Sequence, residues 1–276
     1  MRRTVGKPFL RWAGGKSRIV RHLLDHLPPA EFGDYWEPFL GAGALFFALA
    51  PRTAYLSDSN SDLMACYEQV RDKSDLVYKY LRHYVSKTCE EYYYRMRDLY
   101  NRSKPRRSAT QAARFIYLNR TSFNGIYRVN LKGEYNVPYG FKEPPPMPTL
   151  DDLRVASDLL RNATLSDKSF DEALSGNAPD TGDFLYLDPP YPPLNTTTAT
   201  FAHYTKARFS WGDQERVAEI ANRLAQRGCY VMVSNLDTEA VRKLYSGWSI
   251  IALPVVRFIS ANGQRDEAGE LVITSY

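Results

Sequence analysis

Cysteine is scarce in this chain: Cys66, Cys89 and Cys229 stand far apart and are odd in number. None of the short spacings of a zinc site occurs, so reduced, structural thiols are expected. Long apolar runs are missing too, and nothing approaches the ~18 apolar residues of a membrane span. Behind the basic start MRRTVGKPFLRW there is no apolar stretch or small-residue cleavage site, which argues against a secretory signal and for a cytoplasmic location. His22 and His26 can share a helix face, yet no carboxylate completes a ligand set, so no metal is expected. The full G-x-G-x-x-G of dinucleotide folds is absent, as is the Walker spacing G-x-x-x-x-G-K. A dinucleotide oxidoreductase and a nucleotide triphosphatase are thereby disfavoured.

What is present fits a soluble globular protein. At 276 residues, 44% hydrophobic and 24% charged, the chain suits one large α/β core carrying one inserted module. The net charge of +5 is unevenly spread: residues 62–143 hold 16 Lys and Arg against 9 Asp and Glu, and 12 of the 20 tyrosines. A basic surface with interleaved aromatics suits phosphate contact and base stacking. A solvated helical face over core tyrosines fits the same composition equally well.

Residues 1–60 read as βαβ. A glycine loop leads to a helix at about Lys16 to Leu27, a strand at about Asp34 to Pro38, a helix from Ala42 to Leu49 and a strand from Ala54 to Asp58. From Asp62 to about Leu118 apolar residues recur at helical spacing, and the polar stretch NRSKPRRSAT, residues 101–110, divides them into at least two helices. In residues 121–140, Asn124-Gly125 and Lys132-Gly133 punctuate short aromatic and β-branched runs, predicting a β-hairpin module. The proline-rich FKEPPPMPTL, residues 141–150, returns to the main domain. A helix to Arg161, strands at Ala163–Asp167 and Phe184–Asp188, a helix at Asp213–Gln226 and a strand at Cys229–Asn235 then follow. A closing pair, Ser249–Val256 and Leu271–Ser275, is joined through Asn262-Gly263. Apolar runs of this kind belong inside a mostly parallel sheet.

Three motifs carry chemistry. DPPY, Asp188 to Tyr191, directly follows an apolar strand, so its carboxylate sits where open α/β sheets bind ligands. Asp188 and the carbonyl of Pro189, aimed by Pro190, can accept the two N–H bonds of an exocyclic amine, while Tyr191 offers a face to an extruded base. In EPFLGAG, residues 37–43, Gly41 and Gly43 allow close backbone approach, and Glu37 and Phe39 suit a sulfonium nucleoside. In FLRWAGGKS, residues 9–17, Lys16 and the free N–H groups of a helix start can bind an anionic group. Each motif alone also fits a plain tight turn or strand end.

Taken in order, FLRWAGGK, EPFLGAG, SDSNSDL and DPPY resemble the Dam-type DNA adenine methyltransferases of the D12 class, and the resemblance covers nearly the whole chain. It implies a Rossmann-like, mostly parallel seven-stranded sheet formed by residues 1–61 and 144–276, with residues 62–143 as a helical and β-hairpin target-recognition domain. It implies S-adenosyl-L-methionine as cofactor and S-adenosyl-L-homocysteine as product. Trp12, Ala13, Gly14, Lys16, Asp58, Asp167 and Asp188 match cofactor-contacting positions, with Lys16 facing the methionine carboxylate and Asp58 the ribose. The stretch NRTSFNGIYRVNLKGEYNVPYG, residues 119–140, is similar to the hairpin of GATC-specific members. Carried across, Arg128 would read guanine, Phe123 and Asn124 would fill the space left by a flipped adenine, and Ile126 and Pro138 would touch the target site. Asn119, Arg120 and Asn130 would contact DNA, the first two through phosphates. Two departures stand out. Arg11 replaces the lysine that contacts the first guanine, changing donor geometry, and Asp266 and Glu267 lie where the family tends to be basic.

The expected partners are double-stranded DNA and, in a restriction-modification setting, a cognate restriction endonuclease, with a monomer in solution, of nucleoid-associated bacterial or phage origin. An N4-cytosine methyltransferase would share the amine-binding logic, and a silent DNA-binding relative would keep only the basic insertion. Asp188 disfavours a glutamine-modifying enzyme, which uses Asn there, and no Pro-Cys nucleophile for C5-cytosine methylation is present. Residues 195–209, polar and next to the motif, are expected to form a lid that orders on DNA.

Overall fold

The computed structural model describes residues 5–103, 105–140, 146–175, 179–191, 209–259 and 266–276. The expected lid therefore lies almost wholly outside the described residues, as does the turn through Asn262-Gly263.

Among the described residues, β1 (Tyr35–Glu37), β2 (Ala54–Ser57), β3 (Ala163–Ser166), β4 (Phe184–Leu187), β5 (Tyr230–Leu236), β6 (Ser249–Ile259) and β7 (Asp266–Thr274) form one seven-stranded sheet, ordered β3-β2-β1-β4-β5-β7-β6. Only β7 runs antiparallel to its neighbours; β1 pairs in parallel with β2 and β4, with Tyr35 opposite Phe184. This is the mostly parallel, Rossmann-like sheet that the apolar runs predicted. The run FLYL is buried at every position because both faces of β4 are covered. Phe184 and Tyr186 enter one apolar cluster, Leu185 and Leu187 the other, as the two-residue period of a strand requires. Between β1 and β4 the strand order reverses, and the chains leaving their carboxyl ends diverge into a crevice.

The helices among the described residues are α1 (Val20–Asp25), preceded by a 3-10 turn at Lys16–Arg18, α2 (Ala44–Leu49), α3 (Ser61–Val85), α4 (Glu90–Arg102), α5 (Ala109–Thr121), α6 (Leu150–Leu160), α7 (Phe170–Ala173), α8 (Trp211–Gln226) and α9 (Glu239–Leu244). None is long and apolar enough to cross a membrane. Several starts are written in the sequence: the Thr149 and Ser210 hydroxyls, with Asp152 and Asp213 three residues on, form reciprocal capping boxes.

The insertion departs from expectation in three ways. It holds three helices, because the chain also breaks between Val85 and Glu90, where the Cys89 sulfur caps α4. Residues 121–140 make two isolated pairings, Ser122 with Tyr139 and Val129 with Tyr135, in place of a regular hairpin ladder. Their backbone is instead satisfied from α4: the Tyr93 hydroxyl donates to the Val137 carbonyl at 2.9 Å, and the Asn101 amide exchanges bonds of 3.0 and 2.8 Å with Tyr135. Asn124-Gly125 is not a hairpin turn but part of a 3-10 turn, Phe123–Gly125, and the chain reverses at Asn130–Glu134. The tyrosines settle the open question of composition, since Tyr67, Tyr84, Tyr93, Tyr100, Tyr117, Tyr127 and Tyr135 are buried in one cluster continuous with the sheet core.

One buried acid ties β1 to β4. Asp183 accepts from the Asp34 N–H (2.9 Å), the Trp36 indole (2.9 Å) and the Asp180 N–H (3.0 Å). Asp183→Ala strands these donors and is expected to cost roughly 2–4 kcal/mol. A melting temperature equal to the parent's would contradict this account.

Candidate functional site

The glycine loop of residues 9–17 is anchored by buried Phe9 and Leu10, which leaves Trp12 to stack on Tyr127 of the insertion at 5.7 Å and an interplanar angle of 22°. Gly41 makes this possible. A Cβ there would lie 2.8 Å from Trp12 Cδ1, and its φ of +47° disfavours other residues. Its N–H donates to Asp58 Oδ2 at 3.0 Å and its carbonyl accepts from the Tyr67 hydroxyl at 2.9 Å, so the loops after β1 and β2 are joined. Ala13 and Gly14 form the turn before Lys16, with Gly14 at φ +77°.

Lys16 turns inward and is only 4% exposed. Its ammonium lies 2.5 Å from Asp188 Oδ1 and 3.7 Å from Glu270 Oε1, donates to the Gly14 carbonyl at 2.8 Å and sits 4.7 Å from the Tyr191 ring centre. The expected anionic ligand of Lys16 is thus met, in this structure, by the protein's own carboxylates. A desolvated ammonium requires such partners. Tyr191 in turn donates its hydroxyl to Glu270, which is fully buried on β7.

Glu37 ends β1 within the same crevice. Burial pushes its carboxyl up to about 8, against the Tyr35 hydroxyl, which donates to Oε2 at 2.8 Å; the Asp188 charge raises it further and Lys16 lowers it. Asp58 is also pushed above its ordinary value by burial, opposed by N–H bonds from Asn60 and Gly41. Each of its oxygens keeps a second lone pair for another donor. Phe39 stacks on Phe170 at 5.2 Å, and Phe209 meets its edge at 5.9 Å. A half-open cavity of about 210 Å³ lies at the sheet edge nearby, lined among others by Trp36, Pro38, Tyr55, Ser57 and Ser166. Asp167 stands at the end of β3 but is engaged by Arg107, at 3.1 Å, from the loop between α4 and α5.

On the insertion, Phe123 is 52% exposed and Asn124 is exposed with φ +56°. Pro138 holds their turn, its carbonyl accepting from the Phe123 N–H at 2.9 Å. Ile126 is half-buried, and Arg128 is exposed with Nε bonded to Asn136 Oδ1 at 2.8 Å and Nη2 to the Asn136 carbonyl at 3.2 Å. Two expected DNA contacts are placed otherwise. Asn119 is buried, its amide clamping the backbone of Arg11 through bonds of 2.8 and 2.7 Å, so it positions Arg11 instead of facing solvent. Asn130 builds the reversal, accepting from the Lys132 and Glu134 N–H groups and donating to Glu134. Arg120 is half-buried beside Arg11, and burial, then that neighbouring charge, holds its guanidinium below its usual value. Its Nε has no hydrogen-bond partner among the described residues.

Sequence reading missed Glu270, Gln214, Asn235, Asn136 and Arg107. Glu270 had one visible sign, an acid opening the apolar run LVIT. The others become meaningful only through what they touch. No group of three or more His, Cys, Asp or Glu among the described residues is placed to hold a metal ion.

Comparison with known proteins agrees with this geometry. A family model described as D12 class N6 adenine-specific DNA methyltransferase matches residues 12–259. The type II methyltransferase M.MjaIII of Methanocaldococcus jannaschii is 37% identical over 98% of this chain and 99% of its own. The type II methyltransferase M1.LlaDCHI of Lactococcus lactis is 35% identical over 98% and 95%. The DNA adenine methylase of Escherichia coli K12 is 36% identical over 96% and 94%.

The Glu37 shift sets a pH dependence. A carboxyl raised on folding contributes stability in full below its ordinary value near 4.5, and loses it as pH rises toward about 8. Glu37→Gln should remove that loss, so its melting temperature should gain on the parent's steadily between pH 5 and 8. A constant difference across that range would show that Glu37 does not titrate there.

Proposed function

Because the chain belongs to the D12 class N6 adenine-specific DNA methyltransferases, we propose that it methylates adenine N6 within GATC of double-stranded DNA, using S-adenosyl-L-methionine and flipping the target base. The observation that carries this reading is Asp188 at the carboxyl end of β4, beside the switch point, gripped by buried Lys16.

The residues fit such a donor. Among the described residues, three carboxyl groups (Glu37, Asp188 and Glu270) surround one ammonium, and the negative excess suits a cationic sulfonium. Gly41 and Gly43 give the backbone close access, Asp58 keeps lone pairs for ribose hydroxyls, and Trp12, Phe39 and Asp167 border the same crevice. When bound, the cofactor supplies an electrophilic methyl group. Asp188 accepts one N–H of adenine N6 and the Pro189 carbonyl the other, which draws the nitrogen lone pair out of conjugation with the ring. Tyr191 stacks beneath the base. Positioning and preorganised hydrogen bonds supply most of the rate. Asp188 need not be a strong base, because the N-methylated cation is acidic enough to lose its proton readily.

Residues 62–143 serve as the target-recognition module. Arg128, its plane fixed by Asn136, reads guanine through O6 and N7; Phe123 and Asn124 enter the duplex as adenine leaves; Ile126 and Pro138 meet neighbouring bases. Arg11 faces the first guanine with a planar fork in place of an ammonium, and Arg120 contacts phosphate.

Plasmid incubated with the enzyme and labelled cofactor should take up label and resist a GATC nuclease that N6-methyladenine blocks. Label without protection would refute the site assignment. Asp188→Ala should abolish turnover while duplex affinity stays within about twofold, since the acid grips one amine and no phosphate. Arg128→Ala should relax discrimination at one base pair by roughly 1–3 kcal/mol. Equal loss on all sequences would make it a phosphate contact instead.

A further inference from the structure

Four torsions decide where the DPPY segment presents its acceptors, and covalent chemistry fixes only three. The rings of Pro189 and Pro190 lock both φ angles, and the proline that follows Pro189 restricts its ψ to the extended region. The ψ of Pro190 has no such restraint, and it sets the direction of the chain into Tyr191. Here a side chain intervenes: Gln214 of α8 donates from Nε2 to the Pro190 carbonyl at 2.7 Å.

Gln214 is fully buried, and its other end is also spent. Its Oε1 accepts from Asn235 Nδ2 at 3.0 Å, and Asn235, fully buried at the end of β5, accepts at Oδ1 from the Leu236 N–H at 2.8 Å. The polarity of this relay is forced, because a carbonyl can only accept; the Gln214 nitrogen must face Pro190 and its oxygen must face Asn235. Space-filling alone does not call for an amide. A methionine of similar length would fill the gap between α8 and β5 without the desolvation cost of two buried polar ends.

We infer that Gln214, backed by Asn235, is a positioning residue that fixes the Pro190–Tyr191 peptide and so holds the amine-binding motif in its productive shape. Tyr191 is pinned further along by Glu270, and Asp188 at the start by Lys16. The motif is thereby held at both ends and in the middle. The inference rests on the reading of Asp188–Tyr191 as the site that grips adenine N6.

The test uses the full chain, S-adenosyl-L-methionine and a duplex containing GATC. Gln214→Met should lower kcat roughly 10- to 100-fold, the scale of a small misplacement of reacting groups, with KM for duplex and melting temperature near the parent's. Gln214→Glu adds a signature that a packing role would not give. Its neutral carboxyl can donate to Pro190 as the amide does, whereas its ionised form sets oxygen against oxygen. Activity relative to the parent should therefore be retained at low pH and fall as pH rises.

A parent-like kcat in folded Gln214→Met overturns the inference, as does a Gln214→Glu profile parallel to the parent's. Should Gln214→Met not fold, the Gln214→Glu profile decides. If neither folds, the relay is a stability element and the inference fails. Asp188→Ala separates the two levels: turnover by that variant sinks the reading of the motif, whereas its inactivity beside an unimpaired Gln214→Met sinks only the role given to Gln214.

Discussion

A buried ammonium among carboxylates is the interaction on which the rest of the site depends. Lys16 comes from the first loop, Glu37 from β1, Asp188 from β4 and Glu270 from β7, and nothing but their charges requires these segments to meet. Removing such charges from water costs several kcal/mol per ion, which is offset only when each finds a partner at close range. The sheet supplies that closeness. Because β1 and β4 are neighbours whose chains turn away in opposite directions, their carboxyl ends leave a crevice, and β7 brings Glu270 in from the far side.

The two halves of the chain share one interior. The apolar cluster runs from the sheet through α3 and α5 to the tyrosines of the insertion, without a break at residue 61. Three further links cross the same boundary near the crevice: Trp12 on Tyr127, Asn119 around the Arg11 backbone, and Arg107 on Asp167. The glycine loop that borders the site is consequently also the loop that carries Arg11 toward the recognition surface. A recognition surface joined this way cannot shift without disturbing the loops beneath it, since close-packed interiors transmit displacement.

The sheet was largely legible. Every strand read from an apolar run exists within a residue or so of its expected span, apart from β6 and β7, which extend further toward their connecting turn than their apolar runs indicated. The motifs EPFLGAG and DPPY do lie at adjacent strand ends. Regularity in residues 121–140 was over-read, because turn dipeptides announce a reversal but do not say whether the flanking backbone will pair with itself or with side chains from a helix. The tyrosines were ambiguous for a related reason: Tyr93 and Tyr135 are spent inside, bonding backbone, while the exposed ring is Phe123. Asn119 and Asn130 illustrate the same limit. A short polar side chain suits a phosphate and a local backbone bond equally well, and which one wins depends on burial.

By itself the sequence determined the α/β rhythm, the place of the insertion, the acid beside paired prolines and the family whose motif order they follow, because these depend on local periodicity and on residues a few positions apart. Tertiary structure alone decided the partners of Lys16, the burial that lifts Glu37, the anchoring of Tyr191 by Glu270 and the relay from Leu236 through Asn235 and Gln214 to Pro190. Such contacts join residues 20 to more than 200 positions apart, and only strand order and helix packing bring them within hydrogen-bond range.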